Sequence, residues 1–280
     1  MSQIVASDGA RIFYRSIGRR DGPTLLLLQG LGCDGRGWIM QWPIFSQRFR
    51  CIVVDNRGVG RSDKPPGPYS LEQMARDGVA VLDAERVDSA HVIGVSMGGV
   101  VSQLLAIKYP QRVRSLVLAA TSGQHHSWRI GLLARWQYLA VRYGMAKVAL
   151  AVAPYFVGAR ARRLLGSAAS IAVRVVLPRD AKGFVSQLEA ILELPDALRE
   201  SHANVVMPTC VVVGEDDTLT PPEDSRELAA RLPRGELHVL PDVGHSLIAE
   251  APLQFNRTVL SFLLRAEALL PPTRFATVSV

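Results

Sequence analysis

Between His91 and Tyr109 the chain reads HVIGVSMGGVVSQLLAIKY, and this stretch constrains the fold more than any other. It opens on an apolar run, Val92-Ile93-Gly94-Val95, that fits a buried strand. It closes on a helix-like segment, Val100 to Tyr109, stopped by Pro110, which has no N–H to give a helical ladder. Between them stands Gly94-Val95-Ser96-Met97-Gly98, a G-x-S-x-G pattern. A serine on so sharp a strand-to-helix turn has a strained backbone, and the residues two places either side approach closely. Glycine at 94 and 98 removes the side chains that would clash. The turn lifts the Ser96 hydroxyl above the sheet edge and leaves the Met97 N–H at a helix N-terminus, where developing negative charge is favoured. The five residues do not specify a site by themselves, because glycine and serine are common in ordinary connections. Their context does.

That context is an alternation of strands and helices. Thr24–Gln29 (TLLLLQ), Cys51–Asp55 (CIVVD), Val113–Ala119 (VRSLVLA) and Thr209–Gly214 (TCVVVG) are apolar throughout, which suits central parallel strands covered on both faces. Gln3–Ala6 and Arg11–Ser16 flank an Asp8-Gly9 turn and read as a hairpin. Ser70 opens a helix to about Glu85, with Gln73 at capping-box spacing. A helix from Pro222 to Leu232, a strand at Leu237–Leu240 and a last helix from about Ala251 to Leu264 complete the pattern. Such alternation demands a mostly parallel central sheet with helices on both faces, an α/β fold. From Ser122 to Asn204 the pattern breaks into Ala-, Leu-, Arg- and Val-rich sequence punctuated by proline and glycine. Residues 1–121 and 205–280 therefore read as one core domain, and 122–204 as an inserted helical cap. The tail from 271 to 280 carries no assignment.

With 280 residues, 48% hydrophobic and 20% charged, the chain buries a substantial core. Cys33, Cys51 and Cys210 are three sparse cysteines without a C-x-x-C pair, which reads as buried free thiols. The N-terminus shows no basic-then-apolar leader, and no apolar stretch reaches the roughly 18 residues of a spanning helix. The expectation is a cytoplasmic protein without stable membrane insertion. The segment 122–204 holds eleven Lys/Arg against five Asp/Glu, so it carries most of the net charge of +7. A solvated basic face is the simpler reading, and an anionic ligand the sharper one. No aromatic-interleaved basic cluster or known module points to nucleic acid.

A serine hydroxyl needs a base, and the base needs an orienting acid. Of six histidines, His91 and His238 fall in strand sequence and read as structural, and the adjacent His125 and His126 lack the acidic neighbours of a metal site. His245 lies in Pro241-Asp242-Val243-Gly244-His245-Ser246, a loop after the last strand, at the same sheet edge as Ser96. The loop after Thr209–Gly214 carries Glu215, Asp216 and Asp217, all competent to orient it, or to cap the helix that follows.

At this point the sequence resembles the α/β-hydrolase superfamily over almost its whole length. The motifs are Gly30-Leu31-Gly32, DNRGVGRS from Asp55 to Ser62, the Ser96 elbow, GEDDTLTPP from Gly214 and VGHS from Val243. In related sequences the acid falls three residues after the glycine and four before the proline, which selects Asp217. The resemblance implies Ser96 as nucleophile, His245 as base and Asp217 as orienting acid. It also implies an oxyanion hole from the backbone N–H groups of Leu31 and Met97. Most relatives carry His-Gly where this chain has Gln29-Gly30; a backbone donor at 31 survives the change. Relatives that dehalogenate haloalkanes or open epoxides use aspartate at the elbow, so Ser96 implies acyl transfer. The motifs are most similar to those of 3-oxoadipate enol-lactonases, aromatic-polyketide methylesterases and cofactor-free haloperoxidases.

The expected activity is hydrolysis of a small-molecule carboxylic ester or lactone through an acyl-enzyme, with no cofactor and no metal. Gln29, Gly30, Trp38, Trp128, Trp136 and Tyr138 are the expected pocket residues. Rival readings on the same three residues are carbon–carbon bond hydrolysis and peracid or haloperoxidase chemistry. A non-catalytic receptor on the same fold is a rival of another class. The sequence neither demands nor excludes oligomerisation.

Overall fold

The computed structural model of the protein describes residues 2–269 apart from 125, 167, 169, 170, 172, 175, 176, 179, 195 and 196. His125 and the tail 271–280 therefore lie outside the described residues. The strands are β1 (Ser2–Val5), β2 (Arg11–Gly18), β3 (Thr24–Leu28), β4 (Arg50–Val54), β5 (Ala90–Val95), β6 (Val113–Ala119), β7 (Thr209–Gly214) and β8 (Gly235–Leu240). They form one sheet in the order β1-β2-β4-β3-β5-β6-β7-β8. β2 runs antiparallel to β1 and β4, and every pairing from β4 to β8 is parallel.

Apolar strand runs alternate between two buried clusters, as a sheet covered on both faces requires. Leu26 and Leu28 of β3, with Ile52 and Val54 of β4, face one cluster; Leu25, Leu27, Cys51 and Val53 face the other. The first face is covered by α1 (Leu71–Ala84), α2 (Met97–Lys108) and, after the insertion, the helix Pro222–Arg231. The helix Pro252–Ala268 and the short turn Trp42–Phe45 cover the second. The Ser70 hydroxyl caps α1 by accepting the Gln73 N–H at 3.1 Å, but the Gln73 side chain turns away to Asp8, leaving half a capping box.

Between β6 and β7 the described residues include the helices α3 (Ser127–Tyr143), α4 (Met145–Phe156), α5 (Ala159–Leu165) and α6 (Ala181–Leu192). Apolar residues of α3, α4 and α6, including Trp136, Val148 and Phe184, join the first cluster. Later in the chain come α7 (Pro222–Arg231) and α8 (Pro252–Ala268). Among the described residues no helix is long and apolar enough to cross a membrane.

Arg57, 1% exposed, holds the loop after β4. Its guanidinium donates twice to Asp77 of α1, both at 2.8 Å, and once to Asp8 of the β1–β2 turn at 2.8 Å. Parallel register then aligns the strand ends: Leu28 of β3 lies beside Gly94 of β5, Val95 beside Ala119, Ala119 beside Val212 and Gly214 beside Leu240. The loops after β3, β5, β7 and β8 therefore converge at one sheet edge.

Candidate active site

Ser96 sits between β5 and α2 with φ 54° and ψ −120°, a conformation that L-residues rarely adopt. Close backbone packing holds it there. A Cβ at Gly94 would lie 2.2 Å from the Gly98 carbonyl oxygen, and a Cβ at Gly98 would lie 2.3 Å from that of Leu28. Glycine is thus required at both places by contact with backbone, which cannot move aside.

His245 and Asp217 meet this serine. His245 Nε2 is 3.0 Å from Ser96 Oγ, and Nδ1 is 2.8 Å from Asp217 Oδ2. His245 is 3% exposed and Asp217 2%. Asp217 Oδ1 accepts the N–H groups of Leu219 and Thr220, each at 2.9 Å, and Oδ2 accepts the Thr220 hydroxyl at 2.8 Å. An ionised carboxylate only accepts, so Nδ1 carries the proton and Nε2 is left to accept from the serine. The other acids of the loop serve elsewhere. Asp216 accepts the Ala159 N–H at 3.1 Å, and Glu215 lies toward the exposed Asp242 N–H.

Leu31 and Met97 both line a pocket with Ser96. Their backbone N–H groups have no acceptor among the described residues. Three buried amides brace the Leu31 loop. Gln29 Oε1 accepts the Gly30 N–H at 3.0 Å, and the Asn56 side chain donates to the Gln29 carbonyl at 2.9 Å. Gln187 of α6 accepts the Gly32 N–H at 2.8 Å and donates to the Arg57 carbonyl at 2.8 Å.

Two cavities open from Ser96. The inner one is about 50 Å³ and includes Met97, Val100, Arg129, Leu133, Trp136 and Leu219 in its wall. The outer one is about 540 Å³ and includes Gln29, Gly30, His245, Ile39, Met40, Leu164 and Glu250 in its wall. Leu31, Ser96 and Phe156 belong to both. The Phe156 ring stands 5.4 Å from the imidazole of His245. Arg129 is buried but fully engaged by Asp224, the Ser122 hydroxyl and the carbonyls of Leu219 and Gln124. The Trp136 indole N–H is buried without an acceptor among the described residues.

The helical segment is tied to the loops beneath it. Ser246 N–H donates to the Phe156 carbonyl at 2.8 Å, and Gly158 N–H donates to Glu250 Oε2 at 2.9 Å. Burial, with the charge of Asp217 adding to it, pushes the Glu250 carboxyl above its ordinary range against the backbone donors that hold it down.

Of the pocket residues expected from sequence, Gln29, Gly30 and Trp136 line the cavities. Trp38, Trp128 and Tyr138 do not, and each is corrected. Trp38 is fully buried in the cluster on the other face of the sheet. Trp128 is 47% exposed and packs under the Arg129 guanidinium at 5.1 Å. Tyr138 is 59% exposed, against Tyr143. Trp128 and Tyr138 fall on the outward side of α3, which buries Arg129, Leu133, Trp136 and Ala140. Sequence reasoning missed Thr220, Gln187 and Glu250. Only Gln187 carried a signal: it interrupts the buried stripe Phe184, Leu188, Ile191 of α6. Other described histidines have structural partners. His91 bonds Ser115 and Glu267, His126 bonds Asp224, and His238 bonds Glu236.

Residues 23–145 match a family model described as the alpha/beta hydrolase fold. The chain is 28% identical over 260 residues to 3-oxoadipate enol-lactonase 2 of Acinetobacter baylyi, covering 90% of this chain and 92% of that protein. It superposes on a hydrolase from Pseudomonas aeruginosa with a TM-score of 0.86 and 32% identity, covering 94% and 97% of the two chains. The enol-lactonase from Burkholderia xenovorans superposes with a TM-score of 0.84 and 29% identity, covering 94% and 100%. The fold is that of a hydrolase. The chain belongs to the α/β-hydrolase family.

Proposed function

We propose that the protein is a serine hydrolase that cleaves a carboxylic ester or lactone through an acyl-enzyme. One observation carries this reading: the unbroken path from Asp217 Oδ2 through His245 to Ser96 Oγ, at 2.8 and 3.0 Å. Ser96 Oγ attacks the acyl carbon while its proton passes to His245 Nε2. Asp217 stabilises the imidazolium. The acyl carbon–oxygen bond then breaks, and the proton on Nε2 moves to the departing alkoxide. Water, activated by the same histidine, releases the acid and restores the serine. The N–H groups of Leu31 and Met97 hold the oxyanion, and one such donor is worth about 10²–10³ in rate.

Residues 122–204 act as a cap in this reading, and the contacts of Phe156 and Gly158 with the histidine loop support it. The three buried, unpaired cysteines support a reducing, cytoplasmic setting. Labelling with a fluorophosphonate tests the proposal. Wild type labels, and Ser96→Ala and His245→Ala do not. A wild type that resists both the probe and p-nitrophenyl acetate would sink it.

A further inference from the structure

The two cavities differ about tenfold in volume, and both include Leu31, Ser96 and Phe156 in their walls while His245 lines the larger one. Resting on the hydrolase reading, we infer which half of the substrate each cavity takes. The substrate is an ester or lactone with a short acyl part and a large, apolar, uncharged group on the leaving oxygen.

The assignment follows from the path of one proton. The leaving oxygen must receive it from His245 Nε2, so the group on that oxygen departs along the wall that contains His245. His245 and Ser246 belong to the outer cavity and not to the inner pocket. The inner pocket lies past Ser96 on the Met97 and Val100 side, where the acyl chain must go once the carbonyl oxygen points at the Leu31 and Met97 N–H groups. The reverse orientation would carry the leaving oxygen away from His245, the base within reach of the serine among the described residues.

Size then sets the class. A water occupies about 10–15 Å³ on this scale, so the inner 50 Å³ admits an acyl chain of about four heavy atoms. The outer 540 Å³ accommodates a chain of eight or more carbons, or fused rings. Its wall is apolar at Ile39, Met40, Ala161, Leu164 and Ile248. Ile39, Met40 and Leu164 are 60%, 51% and 78% exposed, so apolar surface continues to the mouth. The charged groups on that wall argue against an anion there. Arg36 is already paired with Asp34, and Glu250 Oε1 is buried without a hydrogen-bond partner among the described residues. A carboxylate on the alcohol would meet Glu250, whereas an alkyl chain meets methyl and methylene groups.

Two isomers decide the matter: octyl acetate, with its bulk on the leaving oxygen, and methyl nonanoate, with its bulk on the acyl carbon. Each buried methylene is worth up to about fourfold in kcat/KM. We expect octyl acetate to exceed methyl nonanoate by about 10²-fold or more, and methyl acetate to fall well below octyl acetate. Equal rates, or a preference for methyl nonanoate, overturn the assignment. So does failure to cleave either isomer by an enzyme whose Ser96 takes the fluorophosphonate, a result that leaves the hydrolase reading standing. Failure on both esters with Ser96 unlabelled removes the hydrolase reading and the inference together.

Discussion

The Gln187 side chain of α6 accepts the backbone N–H of Gly32 at 2.8 Å, so a residue from the helical segment between β6 and β7 sets the loop that carries Leu31. The same amide donates to the Arg57 carbonyl at 2.8 Å, and Gln187 is fully buried. Replacing it with leucine keeps the volume but strands two buried backbone groups, each costing about 1–3 kcal/mol. Gln187→Leu is expected to lower the thermal midpoint. It should also reduce kcat more than it raises KM, because in the proposed mechanism the Leu31 donor acts on the oxyanion rather than on bound ester. Steady-state kinetics on one good ester separate the two: a rise in KM alone would show that Gln187 only packs.

Asp217→Asn tests the orientation of His245. The asparagine amide has two unfavourable choices. Turned toward His245, its NH₂ meets Nδ1–H and forces the other tautomer; turned away, it meets the N–H groups of Leu219 and Thr220. A fall in kcat of about 10⁴ is expected, with the fold retained by circular dichroism. A loss under tenfold would mean that Asp217 does not act on the histidine.

The elements on which this site stands were legible because apolar runs and turn residues are local signals. The runs at Thr24, Cys51, Val113 and Thr209 became β3, β4, β6 and β7 within one residue at either end. Ser96, Asp217 and His245 stood at loop positions after strands, which parallel topology gathers at one edge. The pocket was not legible, because its walls depend on how α3 to α6 rotate about their axes. Trp136 faces inward while Trp128 and Tyr138, on the same helix, face solvent. Helical spacing alone did not say which tryptophan turned inward. Glu250 acts through a contact across the fold with Gly158, and Thr220 through a hydroxyl turned back onto Asp217; nothing in their local sequence marks either role.

The buried Arg57 makes a sharp stability prediction. Asp77→Ala removes both short hydrogen bonds from Arg57 to Asp77 and leaves a guanidinium that is 1% exposed with Asp8 as its remaining carboxylate partner. Breaking one side of such a pair costs about 3–5 kcal/mol. Urea unfolding of Asp77→Ala should show that loss, and the double replacement Arg57→Met, Asp77→Ala should recover part of it. Additive losses in the double variant would argue against the pair.

His202 gives the acid limb of stability. It is 1% exposed in the turn before β7, with Nε2 2.8 Å from Gln103 Oε1 and Nδ1 buried without a partner among the described residues. Burial, aided by the positive charges of Arg231 and Arg199, pushes its pKa down from 6.5 to about 4. Between these values the unfolded chain binds a proton that the folded chain refuses. The contribution of this histidine is therefore complete above pH 6.5 and is lost as pH falls toward 4, by about 3 kcal/mol in all. His202→Gln removes the titrating group while keeping an amide to meet Gln103. Unfolding free energies from urea titrations at pH 7.5 and 4.5 should differ by about 2–3 kcal/mol less in the variant than in wild type. Equal differences would mean that His202 takes its proton in the folded state as readily as in the unfolded one.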